Sequence, residues 1–250
     1  MGINKQAIIV TGALGGIGSS IVEEFNRQDW LVIPLDFIGE INPSMALVDF
    51  DLRRFVSDQE YRNKNISRIE RQIPDDVDRL VLVNNAAVQK LAPATDLTWN
   101  DWEESFAVNV LAPFFLSQSL FERLRKHDGR VINIGSIHAT LTKPGFAAYA
   151  TSKGALNNLT RSLAIEWAPA GIAVNGICPA AIDTPMLREG FAGHDATLKG
   201  LAGCHPTQAI GQPVDVASVV SMLATYSGKF LTGSLLDLSG GISSVLHDPA

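Results

Sequence analysis

Thr11-Gly12-Ala13-Leu14-Gly15-Gly16-Ile17-Gly18 stands between an apolar run, Ala7 to Val10, and a segment of helical periodicity that begins at Ile17. A strand that enters a glycine-rich turn and leaves it as a helix restricts a chain to few architectures. The glycines bring backbone close to whatever lies at the helix start, and that start carries partial positive charge from unpaired N–H groups. A pyrophosphate is the ligand such a turn suits. Glycine also collects in tight turns that bind nothing, so the weight rests on the position of this turn between the first strand and the first helix.

The rest of the chain repeats that alternation. Short aliphatic runs at Ala7 to Val10, Leu31 to Leu35, Ala46 to Val48, Leu80 to Val83, Val131 to Ile134, Ala173 to Ile177 and Leu235 to Leu238 are separated by longer segments. Helical patterning marks Ile17 to Gln28, Phe55 to Arg71, Trp102 to Arg125, Tyr149 to Trp167 and Val214 to Thr225. Together they predict an α/β fold, a doubly wound parallel sheet of about seven strands with helices on both faces. Thr98 and Asp101 have capping-box spacing ahead of the Trp102 helix, and Pro169 with Gly171 punctuates the end of the Tyr149 helix. Asp36 to Ala46 is too short and too rich in Gly, Asn and Pro for a crossover helix, so a loop is expected there. No linker or repeat divides residues 1–250, which are read as a single domain. The irregular stretch Pro179 to Pro213 is expected to supply, at about 186–212, a loop covering a site.

Composition narrows the partner. A net charge of −6 argues against nucleic acid or an anionic membrane, both of which need clustered Lys and Arg, and leaves a small molecule. Gly, Pro or charge interrupts every apolar stretch short of bilayer length, and Met1 to Val10 lacks the basic and apolar regions of a signal peptide. A cytoplasmic protein without a membrane partner is expected. Cys178 and Cys204 lie far apart without CxxC spacing, so two idle thiols are expected rather than a metal site or disulfide.

Asp36 closes the second strand about twenty residues beyond the glycine turn, where a carboxylate accepts hydrogen bonds from both ribose hydroxyls and repels a 2′-phosphate. Ala13, Leu14 and Phe37 offer no Arg or Lys to offset that repulsion, so NAD is the expected cofactor. Tyr149 and Lys153, four apart on a helical segment, share a face. A free phenol has a pKa of about 10, and an adjacent ammonium is expected to lower it so that Tyr149 can exchange an alcohol proton. Ser136, just beyond Val131 to Ile134, brings a hydroxyl to the C-terminal edge of the sheet, where it can polarise a carbonyl. Asn109 sits inside the Trp102 helix, where Asn marks a kink or an exposed face. A kink there would free a backbone carbonyl for a proton-relay water.

With these residues in place, the chain resembles the classical short-chain dehydrogenase/reductase family from Lys5 to Gly241. The agreement takes in TGALGGIG from Thr11, Asp51 with Leu52, NNAA from Asn84, Asn109, Ser136, YATSK from Tyr149 and CPAAIDTPM from Cys178. It implies a Rossmann-like oxidoreductase acting on CH–OH groups with NAD and no metal. Ser136 would orient the carbonyl, Tyr149 act as acid and base, Lys153 hold ribose and tune Tyr149, and Asn109 anchor a water. Gly12, Leu14, Gly15, Gly16, Ile17, Gly18, Asp36, Phe37, Asn85, Ala86, Ala87 and Pro179 would line the cofactor channel, with Asp51 and Leu52 near adenine. The Ile182 backbone and Thr184 hydroxyl would hold the carboxamide. The family's usual Gly is Ala87 after NNA and Ala180 after the proline, and its frequent Asp is Ser239 before Gly240; Ala180 requires backbone angles that suit a Cβ.

Substrate recognition points to Gln89 and His138, which fall where 3-hydroxybutyrate dehydrogenases of the family place carboxylate ligands. The companion Lys position holds Phe146 and the Trp position Ala181, leaving Lys143 or Lys90 to compensate. A small hydroxy acid, polyol or sugar is therefore the expected substrate. Two rivals remain: a 3-oxoacyl thioester reductase, which normally uses NADPH and which Asp36 opposes, and a non-catalytic nucleotide-binding regulatory protein, which would not need Ser136, Tyr149 and Lys153 together. The resemblance further implies a homotetramer, paired through the Trp102 and Tyr149 helices, whose apolar faces carry Phe106, Val110, Phe114, Leu156, Leu159 and Leu163.

Overall fold

The computed structural model describes residues 6–37, 47–190 and 200–246. Seven strands form one all-parallel sheet: β1 (Gln6–Thr11), β2 (Leu31–Asp36), β3 (Val48–Asp49), β4 (Arg79–Asn84), β5 (Arg130–Ile134), β6 (Ala173–Pro179) and β7 (Leu235–Leu238). Their spatial order is β3-β2-β1-β4-β5-β6-β7, so the direction of winding reverses between β1 and β4. In open α/β sheets that reversal opens a crevice at the carboxyl ends of the strands. β3 is a two-residue pairing in the register Leu35 with Val48 and Asp36 with Asp49. Ala46, and the loop expected up to it after Phe37, fall outside the described residues.

Alternate side chains of each strand feed opposite layers. Ala7 and Ile9, with Ile33, Leu80, Leu82, Val131 and Val174, pack on one face against Phe55, Ile69, Leu116, Leu120, Leu124, Leu163 and Trp167. Ile8 and Val10, with Val81, Val83, Ile132, Ile134 and Ile177, pack on the other against Ile21, Val22, Phe25, Val216, Val220 and Leu223. At ~1.5–3 kcal/mol for each large aliphatic side chain removed from water, these two layers hold the sheet.

The helices are α1 (Gly16–Arg27), α2 (Leu52–Ser57), α3 (Gln59–Glu70), α4 (Trp99–Phe106), α5 (Ala112–Ser119), α6 (Phe121–Lys126), α7 (Ala147–Trp167), α8 (Pro185–Glu189) and α9 (Pro213–Thr225). The segment expected as one helix from Phe55 to Arg71 is two, because Asp58 takes extended angles (φ −117°, ψ 106°) and its carboxylate caps α3 at the Tyr61 N–H. The segment expected from Trp102 to Arg125 is likewise divided: α4 passes into a π-helical turn over Ala107–Leu111, then α5, and breaks again at Leu120 before α6. The Thr98–Asp101 capping box is formed, and it starts α4 at Trp99. Gly171 closes the 3₁₀ turn after α7 with φ +80°. Of the expected covering loop, residues 191–199 lie outside the described residues; its start forms α8, and Ile182 pairs with Gly211 near its end. Among the described residues, no helix is long and apolar enough to cross a membrane.

Candidate active site

At the end of β1 the chain turns through Gly12, whose φ of +65° suits glycine, and a Cβ there would lie 2.8 Å from Ala86 Cα. A Cβ on Gly18, inside α1, would collide with the Gly12 carbonyl. The turn is bolted to the neighbouring strand. Thr11 Oγ1 accepts from the N–H groups of Asn85 (3.0 Å) and Ala86 (3.1 Å), while Asn85 Nδ2 donates to the carbonyls of Thr11 (2.9 Å) and Gly12 (3.1 Å). Gly15 caps α1 without any side-chain acceptor. An uncapped helix start behind a cradle that a Cβ would fill fits the pyrophosphate of a dinucleotide.

Asp36 lies beside that cradle, its two carboxylate oxygens accepting from Leu14 N and Phe37 N at 2.7 Å each. These bonds aim the carboxylate at the turn, and Leu14 and Phe37 expose their side chains beside it. Asp51, expected near adenine, caps α2 by accepting from Arg53 N (2.9 Å) and Arg54 N (3.1 Å), and Leu52 is the first residue of that helix. On the far side of the crevice, Pro179 ends β6. Ala180 has no positive φ, so its Cβ is tolerated where a glycine was expected. Gly211 N donates to Ala181 O and Asp183 N to Gly211 O, both at 2.9 Å. That pattern leaves the amide and carbonyl of Ile182 itself outside the pairing. Thr184 caps α8, accepting from Leu187 N at 3.3 Å, and its methyl lies where a Gly16 side chain would have to go.

The chemical groups converge from β5 and α7. Ser136 follows β5; its hydroxyl accepts from His138 N at 3.1 Å and lies near enough to the Tyr149 hydroxyl to act on its pKa. Tyr149, one turn before Lys153 on α7, is 8% exposed. Lys153 is 2% exposed; its Nζ donates to Ile134 O at 2.8 Å and lies 5.8 Å from the centre of the Tyr149 ring. The expected acidification of the phenol does not hold in this arrangement. Burial raises the Tyr149 pKa, opposed by the Ser136 hydroxyl. Burial likewise lowers Lys153 to about 8, a smaller electrostatic contribution from Cys178 working the other way. Desolvation disfavours both charges and is the largest cause of each shift.

Asn109 is fully buried in the π-helical turn, which supports the expected kink and rules out an exposed face. Its side chain accepts from Val88 N and donates to Val88 O, each at 2.9 Å, and donates to Ser152 Oγ at 2.9 Å. Ser152 in turn donates to the Tyr149 carbonyl at 2.7 Å. Asn109 thus ties the segment carrying Ala87 and the half-buried Gln89 to the helix that carries Tyr149.

His138 stacks on Phe146, with ring centres 4.3 Å apart and planes at 16°, and meets Tyr149 edge-on at 6.0 Å. Burial, and then the Lys143 charge, lowers its pKa to about 4, so the ring is neutral near pH 7. Phe146 itself touches Tyr149 edge-on at 6.2 Å, and Lys143 Nζ lies 4.8 Å from the Phe146 ring centre. Lys90, the other expected compensating cation, pairs with Glu104 at 3.0 Å. Of the two thiols, Cys178 is buried, held against Asn157 (Nδ2 to Sγ 3.4 Å), whereas Cys204 is exposed.

Sequence reasoning missed Thr11 and Ser152 as anchors. Only the hydroxyl of Thr11, at the last strand position before the turn, carried any signal. Ser152 joins Asn109 across 43 residues, a pairing that local pattern does not reveal.

The family described as Enoyl-(Acyl carrier protein) reductase matches residues 12–243. Two relatives are similar over nearly the whole chain: protein FixR of Bradyrhizobium diazoefficiens, 32% identical and covering 94% of this chain and 86% of its own, and gluconate 5-dehydrogenase of Gluconobacter oxydans, 30% identical and covering 94% and 93%. Among solved structures, the ligand-free aldohexose dehydrogenase of Thermoplasma acidophilum superposes with a TM-score of 0.87 at 28% identity over 99% of this chain and 98% of its own. ElxO with NADP bound (97% and 100% covered) and 4-hydroxyisoleucine dehydrogenase complexed with NADH (96% and 100%) each give 0.84 at 27% identity.

Proposed function

The chain belongs to the classical short-chain dehydrogenase/reductase family of oxidoreductases, and from that premise we propose that it moves a hydride between NAD(H) and the carbinol carbon of a small polar secondary alcohol: a hydroxy acid, polyol or sugar. One observation carries the reading. The buried Tyr149 hydroxyl is close enough to the Ser136 hydroxyl, at the carboxyl edge of β5, for that group to lower its pKa, with Lys153 one turn further along α7.

In the oxidative direction the substrate hydroxyl sits between Ser136 Oγ and Tyr149 Oη. Ser136 donates to the substrate oxygen, and Tyr149 takes the O–H proton as the C–H hydride departs. Bound nicotinamide supplies the hydride acceptor. Lys153 would hold ribose, and the π-helical turn at Asn109 supplies an irregular backbone where a relay water would be held. Gly12, Gly15, Gly16, Ile17 and Gly18 would hold the pyrophosphate, Asp36 would take the ribose hydroxyls, and the amide and carbonyl of Ile182 with Thr184 would hold the carboxamide. Asn85, Ala86 and Pro179 line the channel between them.

The Asp36 carboxylate beside the Leu14 amide favours NAD, as it repels a 2′-phosphate, and so disfavours NADPH-dependent reduction of 3-oxoacyl thioesters. Similar folds take both dinucleotides, so the choice is tested directly. Asp36→Ala should shift the ratio of kcat/KM for NAD over NADP by tenfold or more, about 1.4 kcal/mol; an unchanged ratio refutes the assignment.

The reaction is tested by offering NAD with hydroxy acids, polyols and sugars and following absorbance of the reduced nicotinamide. Tyr149→Phe should lower kcat at least about a hundredfold, as expected for loss of a positioned acid–base group, with NADH affinity within a fewfold of the parent. Cofactor binding without turnover of any alcohol or ketone would instead favour a regulatory role. We further propose a homotetramer paired through α4 and α7.

A further inference from the structure

Cys178, expected to be idle, is bonded twice to a single side chain. Asn157 Nδ2 donates to its sulfur at 3.4 Å, and the thiol donates back to Asn157 Oδ1 at 3.6 Å. Both residues are buried; Cys178 is the penultimate residue of β6, and Asn157 lies one turn beyond Lys153 on α7. The exit of β5 runs against this pair residue by residue. The Ile134 carbonyl accepts from Lys153 Nζ at 2.8 Å. Gly135 N donates to Ile177 O at 2.7 Å, and a Cβ on Gly135 would lie 2.7 Å from Asn157 Oδ1 and 3.1 Å from Cys178 Sγ. Burial pushes the Cys178 thiol up, so it is uncharged at neutral pH, and the Ser136 amide comes near enough to the sulfur to work the other way. Three consecutive residues, ending on the hydroxyl at the reacting centre, are thus set by α7 on one side and β6 on the other. An aliphatic pair would fill the same space with no polar atom to satisfy, so burial alone does not call for an amide and a thiol here. Apolar contact is non-directional, whereas these bonds fix a register.

We propose that the Cys178–Asn157 pair is a positioning device for the reaction: it holds the Gly135–Ser136 turn in register with α7, and so sets the Ser136 hydroxyl against Tyr149 and Lys153. The inference rests on the oxidoreductase reading of Ser136 and Tyr149 and deepens it. Cys178 and Asn157 act through Ser136 and need no contact with substrate.

The test separates folding from register. Cys178→Ala combined with Asn157→Leu replaces both partners by apolar groups and leaves no buried polar atom unpaired. The double variant should melt within a few degrees of the parent, while kcat on the preferred alcohol falls about tenfold to a hundredfold and NADH affinity stays within about twofold. Cys178→Ser, which keeps a donor and an acceptor, should retain most of the parent's kcat. In a Ser136→Ala background the double change should lower kcat further by less than about twofold, because no hydroxyl remains to be misplaced. A double variant with the parent's kcat, a loss of equal size with and without Ser136, or a fall in NADH affinity as large as the fall in kcat overturns the proposal. A crystal structure of the double variant provides an arm independent of turnover. A Ser136 hydroxyl moved relative to Tyr149 upholds the register role even where no alcohol reacts and the oxidoreductase reading fails; an unmoved one overturns it.

Discussion

Burial works against charge at both ends of the Tyr149–Lys153 pair, raising the phenol and lowering the ammonium to about 8. Oxidation needs the phenolate, so a raised pKa puts the rising limb of kcat/KM on the alkaline side; the oxidative rate should still be climbing at pH 8, and a plateau reached below pH 7 would contradict it. His138 gives a second pH signature. Its folded-state pKa of about 4 lies below the ordinary 6.5, so the unfolded chain takes up the proton first as pH falls. Stability present above about 6.5 should be lost progressively as the solution approaches pH 4. His138→Asn should make the drop in melting temperature across that window smaller, and an equal drop in both proteins would assign the acid sensitivity elsewhere. None of these directions was legible from spacing. Tyr149 and Lys153 on one helix face suggested an acidified phenol, but the cost of burying the pair depends on what packs over it.

Elements whose identity rests on apolar runs were the easiest to read: the central strands carry alternate residues into two cores, and β1, β2, β4, β5, β6 and β7 fall within about two residues of expectation. Helix continuity was harder. Asp58 is an ordinary surface residue in the pattern, yet it ends α2 and caps α3 in one step. Asn109 is unremarkable by propensity, but its side chain reproduces a backbone pairing with Val88, which holds the π-helical turn in place. Asn109→Ala would leave the Val88 amide and carbonyl without partners beside the buried turn. It should destabilise the protein by about 1–3 kcal/mol, a fall in melting temperature of a few degrees or more for a chain of this size. Asn109→Asp keeps the acceptor for the amide but buries a carboxylate against the Val88 carbonyl, and should cost at least as much as the alanine change. A melting temperature for Asn109→Ala equal to the parent's would remove the pairing from any structural role.

At the scale of the molecule, the seven parallel strands bring residues from positions 11, 36, 85, 136 and 184 to one carboxyl edge, an arrangement implied by the βα alternation before any coordinates. What the alternation does not convey is association. Leu156 and Leu163 are already buried within one chain, but Trp99 is 82% exposed and Leu111 40% exposed along α4 and its π-helical continuation. Apolar exposure of that kind fits a surface covered by another copy. Sedimentation equilibrium should give four times the chain mass, and a monomer at micromolar concentration would exclude the pairing proposed through α4 and α7.

The bolting of Gly12 to β4 by Thr11 and Asn85 bears on how quickly coenzyme is captured. A loop that must freeze around its ligand spends conformational entropy at the moment of encounter, whereas here that ordering belongs to folding itself. Capture should then follow diffusion and orientation, and rapid mixing with coenzyme should show a single kinetic phase whose rate scales with coenzyme concentration.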